Sequence, residues 1–419
     1  MNIEGNTYDV IVIGGGASGM MAAGVAGARG KRVLLIEKNK RLGEKLRITG
    51  GGRCNITNDE RNIHTLLSNY KEAKDFLYSP FSVFGVKETF EFFEGRELPL
   101  FVEARKRAFP KSEKAIDVCN TLMSFLKENK VTVLTDNPVI SLEIVEKNIS
   151  HVITKKGTFK GTSVIVATGG LSHPETGSTG DGFTWLKNLG HTIHEPTPTI
   201  VPVTVEDRWV KELAGISLGS TEHPVKLSFF VDGSKAFTKK GKVLCTHFGL
   251  SGPLILNTAK EIADLLHKGL VTLHIDTYPD KDLGTLEKYI IQIFEENKNK
   301  ALKNVFSDIA PKGTGRVLLS LLPHIDTDTK VHSVTKEMRK DIARLLKALS
   351  VSISGLLGFD KAVVADGGVD IREVDTKTMR STKIGNLFLT GDMLHIDRPS
   401  GGFSLQLCWT TGYVAGINV

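Results

Sequence analysis

The stretch that decides the fold is residues 8–37 of this 419-residue chain, which read YDVIVIGGGASGMMAAGVAGARGKRVLLIE. Residues 8–13 are β-branched and end at glycines, which predicts a fully buried strand. Residues 18–29 carry unusually small side chains and predict a helix that lies close against a sheet. Residues 31–37 predict a second buried strand. This strand–helix–strand order indicates an α/β fold with a parallel sheet and a right-handed crossover.

Three glycines mark the turn between the first strand and the helix. Gly14 permits a tight turn, Gly16 lets the backbone approach a pyrophosphate, and Gly19 lets the helix pack on the strand. The helix N-terminus then offers N–H groups to an anion. Glu37 follows Gly19 by 18 residues, where a carboxylate accepts hydrogen bonds from ribose hydroxyls. The motif predicts a dinucleotide site formed by Gly14, Gly15, Gly16, Ala17, Ser18, Gly19 and Glu37.

Two further glycine-rich segments point to the same ligand. Residues 43–58 read GEKLRITGGGRCNITN, with three consecutive glycines between cationic side chains. Such a loop can wrap backbone amides around phosphate and ribityl oxygens. Thr168 and Gly169 close another predicted buried strand, at the edge where open α/β sheets bind ligands.

The carboxyl-terminal run, residues 386–416, supplies contacts beyond a single strand–helix–strand unit. A strand delivers Gly391 and Asp392, and Asp392 is expected to accept hydrogen bonds from ribityl hydroxyls. Gly401 and Gly402 then open a last helix, whose dipole would stabilise the negative charge of a reduced flavin without a dedicated cation. These contacts narrow the predicted dinucleotide to FAD.

The chain changes character after Gly190. Alternating, β-branched segments separated by Pro and Gly predict an inserted antiparallel β domain. Charged helical patterns over residues 282–350 predict a helical sub-insert within it. Upstream, Ser112 is expected to cap a helix that runs to residue 129. We therefore expect the following segments: a nucleotide-binding domain at 1–190 and 366–419, a β insert at 191–280 and 336–365, and helices at 281–335.

Five motifs carry a resemblance to a known family. They are GGGASGMMAA, KLRITGGGRCNITN, ATGGLSHPETGSTGDGF, THFGLSGP, and a terminal run with GD, then DRPSGGF. Together they resemble the bacterial FAD-dependent oxidoreductases that include aminoacetone oxidase and a bile-acid 3-dehydro-Δ4,6-reductase. The resemblance covers essentially the whole chain. It implies a split FAD-binding Rossmann domain of the glutathione-reductase-like type, with a β-barrel-like insert that carries a small helical domain.

The resemblance also implies individual FAD contacts. Asp392 stands where Glu is common in the family, and His173 replaces another residue type, which leaves the substrate side open. Cys54 could face the flavin, although a buried inert thiol is favoured. No catalytic side chain is assigned. Besides the first glycine motif and Glu37, the implied contacts are Lys38, Arg47, Gly50, Gly51, Gly52, Arg53, Cys54, Asn55, Val139, Thr168, Gly169, Gly391, Asp392, Gly401, Gly402 and Phe403.

Composition excludes several classes of protein. The hydrophobic content of 40% and charged content of 24% are those of an ordinary globular protein. No apolar run is long enough for a membrane span, so the expected location is the cytoplasm. The four cysteines form no CxxC pair, which disfavours a disulfide framework and a metal site. A net charge of +7 is interpreted as a solvated basic surface, and a nucleic-acid partner is not expected.

The chain has no second GxGxxG motif, so a built-in NAD(P)H domain is not expected. NAD(P)H would bind transiently as an electron donor, or dioxygen would be the oxidant. The sequence therefore predicts an FAD-dependent oxidoreductase that moves a hydride between flavin N5 and a small or steroid-like organic substrate. Two alternatives stay open: an FAD-dependent tRNA-modifying enzyme and a non-catalytic FAD-binding module.

Overall fold

A computed structural model describes residues 7–419, which divide into two compact units. The first unit runs to Pro198 and resumes at Ala362–Val419, and the second is Thr199–Lys361. The first unit is therefore formed by two separate stretches of the sequence.

The first stretch contains the strand–helix–strand segment expected from the sequence. The predicted strand at residues 8–13 and the predicted helix at 18–29 are confirmed, each to within one residue at its ends. The strands are β1 (Thr7–Ile13), β2 (Val33–Ile36), β3 (Thr57–Asn58), β4 (Leu100–Glu103), β5 (Arg107–Pro110), β6 (Thr132–Leu134), β7 (Val139–Val145), β8 (Asn148–Thr154), β9 (Gly157–Val166) and β10 (Ile193–Thr199); the helices are α1 (Ala17–Ala28), α2 (Glu44–Ile48), α3 (Ile63–Leu67), α4 (Lys74–Val83), α5 (Val86–Glu94), α6 (Ala115–Glu128) and α7 (Asp181–Asn188).

The second unit has its own apolar core, formed by a large antiparallel sheet and the helices packed on it. The elements in chain order are β11 (Val203–Val205), α8 (Arg208–Glu212), β12 (Ser217–Leu218), β13 (Val225–Val231), β14 (Ser234–Gly241), β15 (Val243–Cys245), β16 (Gly249–Ser251), α9 (Pro253–Leu266), β17 (Val271–Asp276), α10 (Leu283–Glu296), α11 (Leu302–Ile309), α12 (Gly315–Leu319), α13 (Lys336–Lys347) and β18 (Leu349–Leu356).

The eight strands of this sheet follow the order β12-β15-β16-β11-β18-β17-β13-β14, and the pairings are antiparallel. The predicted antiparallel β character is confirmed, whereas closure into a barrel stays a prediction. Helix α13 lies within the predicted helical pattern of residues 282–350, but beyond the expected end of the helical sub-insert at residue 335, so the return to β structure begins only at β18. Thr335 caps this helix by accepting a hydrogen bond from the Met338 backbone N–H, and an apolar stripe with Ile342 and Leu346 is buried in the core.

The second stretch of the first unit adds β19 (Val364–Val369), β20 (Leu387–Leu389) and α14 (Phe403–Asn418). Strands β6, β2, β1, β9 and β20 pair in parallel in that order. Residues 10–13 of β1 are buried, as expected for a central strand covered on both faces. The predicted parallel sheet is confirmed, and β20 joins it from the far end of the chain.

Helix α14 lies directly against α1 because two of its glycines meet the α1 backbone. A Cβ on Gly412 would lie 2.4 Å from the Ser18 carbonyl oxygen, and one on Gly416 would lie 2.7 Å from that of Ala22. Both helices are buried nearly all round, which explains their apolar character on every face.

One predicted helix start was wrong. Helix α6 begins at Ala115, and Ser112 does not cap it. Glu113 adopts a positive φ of 54° and donates its N–H to the Pro110 carbonyl, so a tight turn separates Ser112 from the helix. In residues 7–419, no helix has the length and apolar character needed to cross a membrane.

We expect Gly412→Leu to destabilise the first unit by about 1–3 kcal/mol, because the added side chain has to displace the α1 backbone. Scanning calorimetry should show a lowered Tm. Ala28→Leu is the matched control, since Ala28 is exposed at the end of α1. A Gly412→Leu protein that unfolds at the wild-type temperature would contradict the close packing of the two helices.

Candidate functional site

A cavity of about 160 Å³ lies at the carboxyl ends of β1 and β9, within the first unit. The carboxyl edge of a parallel sheet is where open α/β folds bind ligands. Four chain segments form most of its wall: the turn after β1, helix α2, the segment after β9, and the start of α14. Its lining includes Gly14, Gly15, Gly16, Ala17, Ser18, Glu37, Lys45, Thr168, Gly169, Ser178, Asp392, Ser404, Leu405 and Cys408.

The turn after β1 has the geometry that the glycine motif predicts. Gly14 has a φ of 106°, and a Cβ there would lie 2.4 Å from the Ala167 carbonyl oxygen. A Cβ on Gly19 would lie 1.9 Å from the Gly14 carbonyl oxygen, so α1 packs directly on the turn. Gly16 differs, because a Cβ there meets nothing within 4 Å. No side chain caps α1, which leaves its first-turn N–H groups available to a ligand.

Glu37 is buried at the end of β2, and the turn itself holds its carboxylate. Oε2 accepts the Gly15 backbone N–H at 2.7 Å, and Oε1 accepts that of Asn39 at 2.8 Å. Burial raises the pKa of Glu37, while these two backbone hydrogen bonds and the charge of Lys38 oppose the rise. Each carboxylate oxygen keeps a lone pair for a further donor.

A second cavity of about 40 Å³ adjoins the first, and Val139 and Lys38 line it. The Lys38 ammonium is 2.8 Å from an Asp181 carboxylate oxygen, so its charge is compensated. The two cavities share Gly14, Glu37, Thr168 and Gly177, and they therefore form a continuous region along the sheet edge.

The glycine-rich segment 43–58 reaches the larger cavity only through its first part, between Gly43 and Thr49. Residues 50–55 line neither cavity, and Arg47 donates to the Leu42 carbonyl instead. Arg53 pairs with Glu103 and Glu113 and lies over the Phe109 ring. Direct contacts from this loop to a ligand therefore stay a prediction.

Cys54 is fully buried, and desolvation raises the pKa of its thiol to about 12. A thiol with so high a pKa is protonated at neutral pH and is a poor nucleophile. The favoured interpretation of Cys54 as an inert, buried residue is consistent with this environment.

The loop instead shapes the start of α14. The Asn55 amide, oriented to satisfy its neighbours, accepts the Gly402 N–H at 3.0 Å and donates to the Ala108 and Thr57 carbonyls. Gly402 has a φ of 103°, and a Cβ there would lie 2.3 Å from the Thr57 carbonyl carbon. Only glycine fits this position, and the next turn of α14 then brings Ser404 and Leu405 to the larger cavity. Phe403 points away and its carbonyl accepts the Tyr70 hydroxyl at 2.9 Å.

Asp392 lines the larger cavity, as expected, but sequence reasoning missed its partner. Its carboxylate forms an ion pair with Arg398, a buried guanidinium that also donates to the Ile396 carbonyl at 2.7 Å and the Ser404 hydroxyl at 3.0 Å. Arg398 therefore ties Asp392 to the start of α14. The DRPSGGF run contained this residue, but nothing in its spacing indicated a buried cation.

Lys45 is one of the cationic side chains that flank the three glycines in the sequence, and it is not among the contacts that the resemblance implied. It is partly buried on α2, and its Nζ donates to the buried Ser172 hydroxyl at 3.0 Å. Among the described residues that line the larger cavity, it is the single lysine or arginine. Burial lowers the pKa of the Lys45 amine, and the charge of Asp392 opposes this. The expectation that the last helix acts on a reduced flavin without a dedicated cation stays a prediction, and Lys45 is a cation of the cavity wall.

The parallel sheet and the cavity at its carboxyl edge define a Rossmann-type flavoprotein of the oxidoreductase class. The chain belongs to the HI0933-like family, because the model of the HI0933-like protein Rossmann domain matches residues 8–418. The resemblance stated from the motifs is thereby confirmed.

Two curated relatives match over nearly their full lengths. The chain is 30% identical over 411 residues to the 3-dehydro-bile acid delta(4,6)-reductase of Clostridium scindens, covering 97% of each chain. It is 27% identical over 419 residues to the ribosomal RNA dihydrouridine synthase of Haemophilus influenzae, covering 98% of each. Among solved structures, the 3-ketosteroid delta1-dehydrogenase of Sterolibacterium denitrificans has a TM-score of 0.55 at 14% identity, covering 98% of this chain and 99% of that one. That likeness concerns the fold alone.

We expect Arg398→Met to destabilise the first unit by about 3–5 kcal/mol, because it leaves the Asp392 carboxylate without its buried partner. Urea unfolding followed by the fluorescence of buried Trp409 would measure the loss. The double variant Arg398→Met/Asp392→Asn should recover part of it, since both charges are then removed. An equal free energy of unfolding for wild type and Arg398→Met would show that the ion pair does not stabilise the first unit.

Proposed function

We propose that this protein is an FAD-dependent reductase that delivers a hydride to a carbon–carbon double bond conjugated with a carbonyl group. The observation that carries the proposal is the pair of adjoining cavities, which run from Val139 and Lys38 past the glycine turn to the start of α14. This course along the carboxyl edge of the sheet suits an extended dinucleotide, since open α/β folds bind such ligands there.

The residues of the two cavities fit FAD. The uncapped start of α1 and the open space at Gly16 suit its diphosphate. Glu37 offers free lone pairs to ribose hydroxyls, and its charge disfavours a 2′-phosphate. We assign Val139 to the adenine and Asp392 to a ribityl hydroxyl, because each of them lines one of the two cavities. When bound, FAD supplies hydride transfer at its N5 atom.

The chain's own residues orient and enclose the cofactor in this proposal. The start of α14 has no side-chain cap and lines the cavity with Ser404 and Leu405, which supports a role for its partial positive charge toward the cofactor. Ser404 is held by Arg398, and Leu405 shields the wall from water. NAD(P)H is proposed as a transient donor, because the sequence lacks a second glycine fingerprint.

The direction of the reaction rests on the names of the relatives. One is a delta(4,6)-reductase, and the other makes dihydrouridine. Both products arise chemically by saturation of a carbon–carbon double bond. A small organic enone is the first candidate substrate, because the reductase relative is 30% identical. A uridine in ribosomal RNA is the second candidate, favoured by two relatives of that name and by the net charge of +7.

The finer description of the fold belongs to the same proposal. We infer a glutathione-reductase-like domain split around a barrel-like insert that carries the helical sub-insert. The two separate stretches of the first unit and the eight-stranded antiparallel sheet of the second support this description.

Anaerobic stopped-flow spectroscopy of the FAD-loaded protein tests the reaction. We expect NADH or NADPH to bleach the flavin, and a bile-acid enone to restore its absorbance faster than buffer does. Restoration by a uridine-containing ribosomal RNA fragment, and not by the enone, would select the second substrate. Bleaching by an amine with rapid recovery in air would contradict the reductase proposal and identify an oxidase.

The cofactor assignment has its own test in Gly16→Val. We expect its FAD affinity to fall about 100-fold or more, equivalent to about 2.7 kcal/mol, because the new side chain enters the space proposed for the diphosphate. Thermal stability of the apoprotein should not change, since Gly16 has a negative φ and a Cβ there meets no neighbour. Gly284→Val, at an exposed glycine of the second unit, is the control for binding. Wild-type affinity in Gly16→Val would place the diphosphate elsewhere.

A further inference from the structure

The position of Lys45 in the wall of the larger cavity is set by the backbone before it. Gly43, in the left-handed region with a φ of 72°, starts helix α2, and its N–H is donated to the Gly15 carbonyl at 2.9 Å. This bond anchors α2 to the turn after β1. Lys45 therefore reaches the cavity from a helix that is fixed to the glycine motif.

The other cations of the site are already compensated. Lys38 is paired with Asp181, Arg53 with two glutamates, and Arg398 with Asp392. Lys45 is different, because its recorded hydrogen bond goes to the neutral Ser172 hydroxyl and it has no ion pair within residues 7–419. An ammonium has three donors, so two of them are free for an occupant of the cavity.

The surroundings place Lys45 at one end of the cavity. A Cβ on Gly169 would lie 3.9 Å from the Lys45 Nζ, and one on the next residue, Gly170, would lie 3.3 Å from the Asp392 carbonyl oxygen. Asp392 and Cys408, at the start of α14, line the same cavity as Lys45. The Lys45 charge interacts with those of Asp392, Arg398 and Glu175. The uncapped N-terminus of α14 adds a partial positive charge at the same end. This end of the cavity therefore stabilises negative charge on a bound ligand, whether the ligand carries that charge before binding or gains it in a reaction.

We propose that Lys45 is the cation that stabilises the reduced form of the bound flavin and so raises its reduction potential. This inference rests on the proposed function. Hydride transfer from NAD(P)H to neutral FAD moves two electrons and one proton, and it leaves NAD(P)+ and a flavin ring with one negative charge. A fixed cation in a partly desolvated wall favours that charged ring over the neutral one. Ser172 is the positioning residue that holds the ammonium.

A different role for Lys45 would be to pair with the cofactor's diphosphate. The two roles have separable consequences. The diphosphate carries the same charge in both oxidation states, so removing a cation beside it weakens the binding of oxidised and reduced FAD equally. Removing a cation beside the ring weakens the binding of reduced FAD more than that of oxidised FAD. Only such a difference in binding changes the midpoint potential.

The decisive measurement is the midpoint potential of protein-bound FAD, determined at neutral pH against a reference dye with xanthine and xanthine oxidase as the reductant. For Lys45→Met we expect the preference for reduced over oxidised FAD to fall about tenfold or more. For a two-electron couple, tenfold lowers the potential by about 30 mV. Lys45→Arg should retain most of the wild-type potential, and Ser172→Ala should shift it in the same direction by a smaller amount.

Lys40→Met is the matched control, because Lys40 is exposed and lines neither cavity. Its potential should equal that of the wild type. If Lys45→Met does not fold, Lys45→Gln and Ser172→Ala carry the same test.

Three results would overturn the inference. An unchanged potential with weakened binding of oxidised FAD would assign Lys45 to the diphosphate. Unchanged potential and binding would leave it no role toward the cofactor. A wild-type protein that binds no added FAD would instead refute the proposed function, and this inference would fall with it.

Discussion

The turn between β1 and α1 is the constraint on which the rest of the first unit depends. A Cβ on Gly19 would lie 1.9 Å from the Gly14 carbonyl oxygen, so the helix starts in direct contact with the turn. That contact directs the α1 N-terminus at the cavity and sets the line along which α1 crosses the sheet. Helix α14 then packs on α1 through Gly412 and Gly416, and α2 is anchored to the Gly15 carbonyl. This turn is itself one of the four segments around the cavity, and it positions two of the other three.

The chain has a net positive charge, but most of the cationic side chains near the cavity are paired with carboxylates. These paired cations act as fixed parts of the structure rather than as a diffuse positive surface. Arg398 is an instance, because it holds Asp392 and Ser404 in one arrangement. A preorganised site of this kind needs little rearrangement when a charged ligand binds.

Much of the fold could be predicted because its signals are local. The strand at residues 8–13, the helix after it and the parallel sheet follow from hydrophobic runs and glycine spacing. Ser112 and residues 336–347 show where local signals were insufficient. Ser112 resembles a cap, but the positive φ of Glu113 isolates it from α6. The charged sequence of residues 336–347 is not typical of a β-strand. Only the packing of α13 in the core shows which of its side chains are buried.

By itself, the sequence determined the nucleotide-binding turn, because the roles of Gly14, Gly16 and Glu37 arise within one strand–helix–strand unit. Only the tertiary structure decided which cations line the cavity. Lys45, Arg47 and Arg53 look equivalent along the chain, yet Arg53 meets carboxylates of β4 and of the turn before α6, and Lys45 meets the Ser172 hydroxyl. The physical reason is that a charge is compensated by whatever lies nearest in space, and those neighbours come from distant parts of the sequence.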